Sequence, residues 1–192
     1  MLRTIERLMF RIILTVTGMA ACAAPSYGST VISAGTQTVN AGQTFNLNVS
    51  ISGVTDLYSW QFDLSFDHTL LTANSITEGP FLKSLGGTTN YVPGTINNST
   101  GKISNTADTL TGPAGTGVSG AGVLAIVNFT AGATTGISTI ALSNIFLSDS
   151  NFNPIVNTPM NGSVTIVAAP EPHTLALFSA ALLLGLLYKI RS

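Results

Sequence analysis

Cysteine is nearly missing from this chain: of 192 residues only Cys22 carries a thiol. No disulfide framework can therefore form within residues 29–169, and no thiol nucleophile or thiolate metal site is available there. Charge is equally scarce, with 8% of residues ionisable as Asp, Glu, Lys or Arg. Between residues 29 and 169 the acids are Asp56, Asp63, Asp67, Glu78, Asp108 and Asp149, against Lys83 and Lys102. The resulting charge of about −4, without any basic stripe, argues against nucleic acid as a partner. There is one tryptophan, Trp60, and of two histidines only His68 lies in this region. A Ser-His-Asp arrangement could be completed only through that His68, which sits beside Asp67 in a turn. Asp63 and Asp67 do not form a glycosidase pair. Four residues along a strand place them roughly 13 Å apart, beyond the separation that paired carboxylates use. The reading is of a protein that is not an enzyme and has no catalytic residues.

What the chain has in quantity is alternation. Phe45, Leu47, Val49 and Ile51 interleave with Asn46, Asn48 and Ser50. Tyr58, Trp60, Phe62, Leu64 and Phe66 share one face, with Ser59, Gln61, Asp63, Ser65 and Asp67 on the other. Period two is the signature of a half-buried strand, and a slip of one residue would expose five large apolar groups. Trp60 belongs to that apolar face and reads as core, not as a sugar-stacking platform. Further strands are predicted over Val31–Val39, Leu70–Ile76, Tyr91–Ile96, Lys102–Thr109, Gly122–Ala131, Ile137–Leu147 and Gly162–Val167, with a Gly-, Thr- and Pro-rich loop over Leu110–Gly122. About nine short strands and no sustained helical stripe predict an all-β, two-sheet sandwich or jelly roll. Roughly 140 residues suffice for such a domain to bury about 68% of its unfolded surface, so a core alone can hold it.

The two ends differ in kind. Arg3, Arg7 and Arg11 precede a mostly apolar stretch, Ile12 to Ala24, that ends in small residues. That order is the order of a secretory signal peptide, with cleavage after Ala23 or Gly28, and places residues 1–28 in a removable leader. Met19-Ala20-Ala21-Cys22 also resembles a lipobox, in which Cys22 would be lipidated. Leu175 to Tyr188 is apolar all round, followed by Lys189 and Arg191. As a helix it would be roughly 21 Å long, short for a hydrocarbon core of about 30 Å, with its basic end on the cytoplasmic side. Immediately before it stand Pro170, Glu171 and Pro172. The triplet, the apolar segment and the basic end together resemble the PEP-CTERM sorting signal of Gram-negative bacteria. That resemblance implies processing by an exosortase, with residues 169–192 inserted in the membrane first. The product would be exported to the cell surface or extracellular matrix, with the tail either cleaved or kept as an anchor.

Residues 29–168 carry a second resemblance. Ala41-Gly42-Gln43-Thr44, the alternating strand after it, Gly53-Val54 and then the run from Trp60 to Leu71 follow one another in the order of a cohesin domain. Gly122 to Phe129, Leu147-Ser148-Asp149 and Gly162-Ser163-Val164 continue that order. The resemblance implies a cohesin-like nine-stranded jelly-roll β-sandwich that binds dockerin modules. It places the partner contacts at Ser59 and Gln61, with Asp63 on the same face and Asp108 near the end of a neighbouring strand. An extracellular polysaccharide ligand, or a structural matrix role, remains the alternative, since related sandwiches bind sugars. No cofactor is called for. Asp149, Asn151 and Asn153 match the first ligand positions of an EF-hand loop, but Pro154 stands where Gly is required and Met160 where a bidentate Glu is required. A polar turn is the reading there, and no metal site is assigned.

Overall fold

The computed structural model describes residues 29–111 and 116–169. The expected leader, the Pro170-Glu171-Pro172 motif and the Leu175 to Tyr188 segment lie outside them. Among the described residues there is no helix, and ten strands are present: β1 (Thr30–Ala34), β2 (Thr36–Asn40), β3 (Thr44–Ser65), β4 (Leu71–Glu78), β5 (Thr95–Asn97), β6 (Lys102–Thr109), β7 (Val118–Ala131), β8 (Gly136–Asp149), β9 (Asn157–Met160) and β10 (Gly162–Val167).

The 22-residue β3 organises the domain, because its two halves belong to two layers. Its first half pairs antiparallel with β1 and β7, and β9 and β4 complete that layer. Its second half lies between β6 and β8; β5 extends the layer beyond β6, and β10 and then β2 extend it beyond β8. The result is a β-sandwich. The apolar alternation fixes which side faces inward. Phe45, Leu47, Val49 and Ile51 from the first half meet Trp60, Phe62 and Leu64 from the second in one buried core, joined by Phe129, Ile103, Leu124 and Ile140. Trp60 is 1% exposed and stacks on Phe62 with ring centroids 5.3 Å apart. Full burial of side chains of this size stabilises by roughly 1.5–3 kcal/mol each.

Two strands were expected where β3 is one. The chain bends at Gly53 (φ 65°) and Asp56 (φ 59°), but pairing with β7 continues through Val54 opposite Gly120 and Leu57 opposite Val118. The left-handed backbone at Asp56 is held by its own side chain. Its carboxylate accepts the Gly117 N–H at 2.7 Å and the Ser150 hydroxyl at 2.6 Å, while its N–H donates to Ser119 Oγ at 2.9 Å. Val31–Val39, in contrast, is two strands. The chain changes layer at Gly35, so β1 runs parallel to β9 and β2 parallel to β10. The strand expected over Tyr91–Ile96 shrinks to Thr95–Asn97 plus a bridge at Val92, because Pro93 has no N–H to donate. β9 has no counterpart in the expectation: it is a polar edge strand with Pro159 inside it and shows no alternation.

Candidate partner-binding face

The second half of β3 has an outer face that the sequence pattern marks with Ser59, Gln61 and Asp63. Register with its neighbours extends that face sideways. Gln61 lies opposite Ala107 of β6 and Phe146 of β8, and Ala107 lies opposite Val92. These four residues form one transverse row. Both of its ends are apolar and open to solvent, with Phe146 51% and Val92 47% exposed. The adjacent row contains Thr109, Ser59 and Ser148. Ser59 Oγ and Ser148 Oγ are 2.7 Å apart, so these hydroxyls satisfy each other. Ser148 itself is covered, because the backbone at Pro154 pairs beside it. Gln61 is half-buried, and its amide has no hydrogen-bond partner among the described residues.

Asp63 shares this face but is sealed within it, at 3% exposure. Lys102 Nζ approaches one carboxylate oxygen at 3.0 Å, and Asn144 Nδ2 donates to that same oxygen at 2.7 Å. The other oxygen accepts the Asn105 N–H at 2.8 Å. The register slips beside it on both flanks, between Phe62 and Leu64 against β6 and between Gln61 and Asp63 against β8. Asn105 (φ 58°) and Asn144 (φ 50°) adopt left-handed backbone at these irregularities. Bulges re-aim side chains, and here both flanks fold polar groups over one carboxylate. Burial alone would raise the Asp63 carboxyl, but the Asn105 N–H, Lys102 and Asn144 together hold it below the usual value of 3.8.

Asp108 is not on this face at all. It is the register partner of Trp60, so its side chain points into the sandwich, where it is 2% exposed. The expectation that Asp108 joins Ser59, Gln61 and Asp63 is corrected by strand parity: β6 presents Ala107 and Thr109 outward and Asp108 inward. Neither Asp108 oxygen has a well-formed hydrogen bond, and Trp60 Nε1 and Tyr91 Oη are buried without partners as well. Burial is the main cause that pushes the Asp108 carboxyl up to about 7, and the Glu78 carboxylate beside it adds to the rise. Glu78 is the better-compensated carboxylate of the two, because it is ion-paired with Lys83 and accepts the Thr89 hydroxyl at 2.7 Å. Those donors hold Glu78 below its usual value despite its partial burial. The Tyr91 hydroxyl is raised by burial first, then by the Asp108 and Glu78 charges.

The remaining sequence candidates are turn residues. Asp67 spends one carboxylate oxygen on the N–H and hydroxyl of Thr69, at 2.9 and 2.7 Å. His68 is exposed beside it. At the last residue of β8, Asp149 accepts the Asn151 and Asn153 N–H groups of the following turn at 2.9 and 2.8 Å, and the Asn153 side-chain amide at 3.0 Å. Among the described residues no group of three or more His, Cys, Asp or Glu side chains converges as a metal site would require.

Comparison with known proteins now decides the family. A model of the Cohesin domain matches residues 30–166, which covers the whole sandwich. The chain belongs to the cohesin domain family. Within cohesins it is 34% identical over 138 residues to Cellulose-binding protein A of Clostridium cellulovorans. That match takes in 70% of this chain but 7% of the relative, so the chain spans a small part of the curated relative's length. Among solved structures, the cohesin in a dockerin–cohesin complex, a cohesin of Clostridium acetobutylicum, superposes with a TM-score of 0.59 at 26% identity. It covers 72% of this chain and 100% of that cohesin. A non-cellulosomal cohesin from the archaeon Archaeoglobus fulgidus has the same fold, with a TM-score of 0.58 at 21% identity over 77% of this chain and 97% of its own.

Phe146, Val92 and Ala107 escape a reading of the sequence that follows β3 alone. Phe146 stands in the alternation of β8, but only the register across three strands brings it beside Gln61.

Proposed function

We propose that residues 29–168 form a non-catalytic cohesin module that binds a dockerin-type protein through the outer face of β5, β6, β3 and β8. The observation that carries this reading is the row Val92, Ala107, Gln61, Phe146: two solvent-facing apolar side chains flank an amide whose hydrogen bonds are uncommitted. An apolar anchor beside an uncommitted amide is the kind of surface on which a few residues dominate affinity. Support comes from the cohesin in complex with a dockerin, 26% identical to this chain. Asp63 contributes by fixing the strands beneath the face, and Asp108 by its place in the core. Titration of the module with calcium-loaded dockerins tests the reading. Phe146→Asp should weaken binding at least about 30-fold, in line with a central interface residue, and leave the fold intact.

Delivery is part of the same proposal. The basic, then apolar N-terminal segment and the Pro170-Glu171-Pro172 motif support export and exosortase sorting to the surface or extracellular matrix of a Gram-negative bacterium. Leu175 to Tyr188 would hold the chain in the membrane before processing. Mass mapping of the surface-exposed product locates both cleavage points. Loss of sorting in a Glu171→Ala variant is the expected result.

A second reading, binding of extracellular polysaccharide or a structural role in the matrix, has its own observation on the opposite layer. Thr44 and Thr130 hydroxyls lie 3.0 Å apart, and Asn46, Asn128 and Asn74 form a ladder of side-chain amide bonds of 2.7 and 2.8 Å. The outer row Asn48, Ile126 and Thr77 continues this surface without a charge. An uncharged hydroxyl and amide surface suits a neutral glycan better than a charged protein. Retardation of the module in gels containing neutral polysaccharide, abolished by Asn128→Asp, would favour this reading over the first.

A further inference from the structure

The cluster around Asp63 contains more chemistry than a partner face or an ion pair requires. Three adjacent strands each contribute one group: Lys102 from β6, Asp63 from β3 and Asn144 from β8. The amine and the amide nitrogen both bond the same oxygen, Asp63 Oδ2, at 3.0 and 2.7 Å. They are therefore held closer to each other than two hydrogen-bond lengths, with the amide carbon of Asn144 one covalent bond further on. The second donor on that oxygen is a carboxamide, which offers an acyl carbon as well as an N–H. Asn144 is brought there by a break in strand register and keeps a left-handed backbone, φ 50°, to reach it. Asparagine adopts that backbone readily, and the register slip is what turns its side chain onto the Asp63 oxygen.

We infer that Lys102 and Asn144 are joined by an intramolecular isopeptide bond, formed across Asp63 after folding. The Lys102 ammonium passes a proton to the Asp63 carboxylate, and the neutral Nζ adds to Cγ of Asn144. Asp63 then relays a proton from Nζ to the departing Nδ2. One C–N bond forms, one breaks, ammonia leaves and takes up the proton still held by Asp63, and the carboxylate is regenerated. The sum is an ammonium side chain and a carboxamide giving a secondary amide and ammonium ion, so no oxidant, metal or activated co-reactant enters. Lys102 is a nucleophile in this step and Asp63 its acid–base relay. The ion pair is the resting state, so the amine is free to attack only during the rare proton transfer, and closure is slow. Enforced proximity is what makes it feasible, since a well-oriented intramolecular reaction has an effective molarity of about 10⁵ M or more.

The bond would rivet β6 and β8 to the two sides of β3. In a domain whose described residues contain no cysteine, it supplies the covalent cross-link that a disulfide gives elsewhere. It would also lock the register that sets Ala107, Gln61 and Phe146 side by side, although the inference does not depend on what that face binds.

Trypsin reads the bond directly. Lys83 and Lys102 are the only cleavage sites between Arg11 and Lys189. The full chain, expressed and held folded for days, is digested in denaturant and weighed. With the bond in place, cleavage after Lys102 is blocked and the peptide beginning at Ser84 runs through Asn144, lighter than its sequence by one ammonia. Fragmentation places the link between the two side chains. Asp63→Asn and Lys102→Arg, each checked for fold by circular dichroism, should restore the full mass, and Lys102→Arg should restore cleavage after residue 102. Complete cleavage after Lys102 with unaltered mass overturns the inference. So does a gain of one mass unit at Asn144, which would be simple deamidation.

Discussion

Asp63 and Asp108 sit on adjacent strands of one sheet yet face opposite ways. Asp63 is turned outward beneath Lys102 and Asn144, and Asp108 is turned inward beside Trp60. Both are nearly fully buried, and their carboxyl groups move in opposite directions, Asp63 down and Asp108 up. The difference is one of partners. Asp63 is surrounded by donors, whereas Asp108 has a second carboxyl group for a neighbour.

In freshly folded protein, before a Lys102–Asn144 bond closes, loss of the Asp63 carboxylate should destabilise the domain by about 2 kcal/mol, because it leaves the Asn105 N–H, the Asn144 amide and the half-exposed Lys102 ammonium without their acceptor. Asp67→Ala, at an exposed turn, should cost less than about 0.5–1 kcal/mol. Urea denaturation of Asp63→Ala and Asp67→Ala side by side checks the contrast, and equal midpoints would refute it.

Stability should peak at mildly acidic pH. The folded-state carboxyl of Asp63 is depressed, so its contribution is present above the ordinary value of 3.8 and is lost as pH falls through its lowered pKa. Asp108 behaves the opposite way. Its folded pKa is raised from 3.8 to about 7, so its contribution is fully present below 3.8 and declines as pH rises through 7. Melting temperatures measured from pH 3 to pH 9 should trace a dome, and Asp108→Asn should flatten its neutral side. A wild-type curve that rises steadily to pH 8 would contradict this.

Neighbouring residues Trp60 and Gln61 should respond very differently to truncation. Trp60→Ala removes the largest buried side chain of β3 and should cost about 3–5 kcal/mol. Gln61→Ala touches only the outer face, and its effect should stay within about 0.5 kcal/mol. Denaturation midpoints of the two variants measure the parity of the strand.

Calcium alone should leave this domain's melting temperature unchanged. The Asp149 carboxylate is occupied by the backbone and side-chain amides of its own loop. A shift of several degrees on adding calcium, reversed by a chelator, would reveal a site in the domain itself.

The fold was legible wherever one strand's own alternation decided it. β6 and β10 were found with their observed limits, and the buried side of β3 follows from Trp60, Phe62 and Leu64 without reference to any neighbour. What single strands could not reveal was register between them. The cohesin resemblance groups Asp108 with Gln61 by its place near the end of a neighbouring strand, but its parity is set by pairing with Trp60. Phe146 was hidden for the same reason. The Asp63 cluster depends on two local slips of register and two asparagines with positive φ, neither of which has a periodic signature. The strand β9 was missed because an edge strand containing Pro159 has no apolar alternation to read.

The measurement that bears most directly on the partner face is a calorimetric titration of residues 29–169 with a set of calcium-loaded dockerin modules, comparing wild type with Phe146→Asp and Asn128→Asp. These substitutions lie on opposite layers of the sandwich. Saturable binding that is lost with Phe146→Asp, retained with Asn128→Asp and abolished by chelation of the dockerin's calcium is the expected result. Binding that survives Phe146→Asp, or no binding to any dockerin beside retention on polysaccharide, would contradict it.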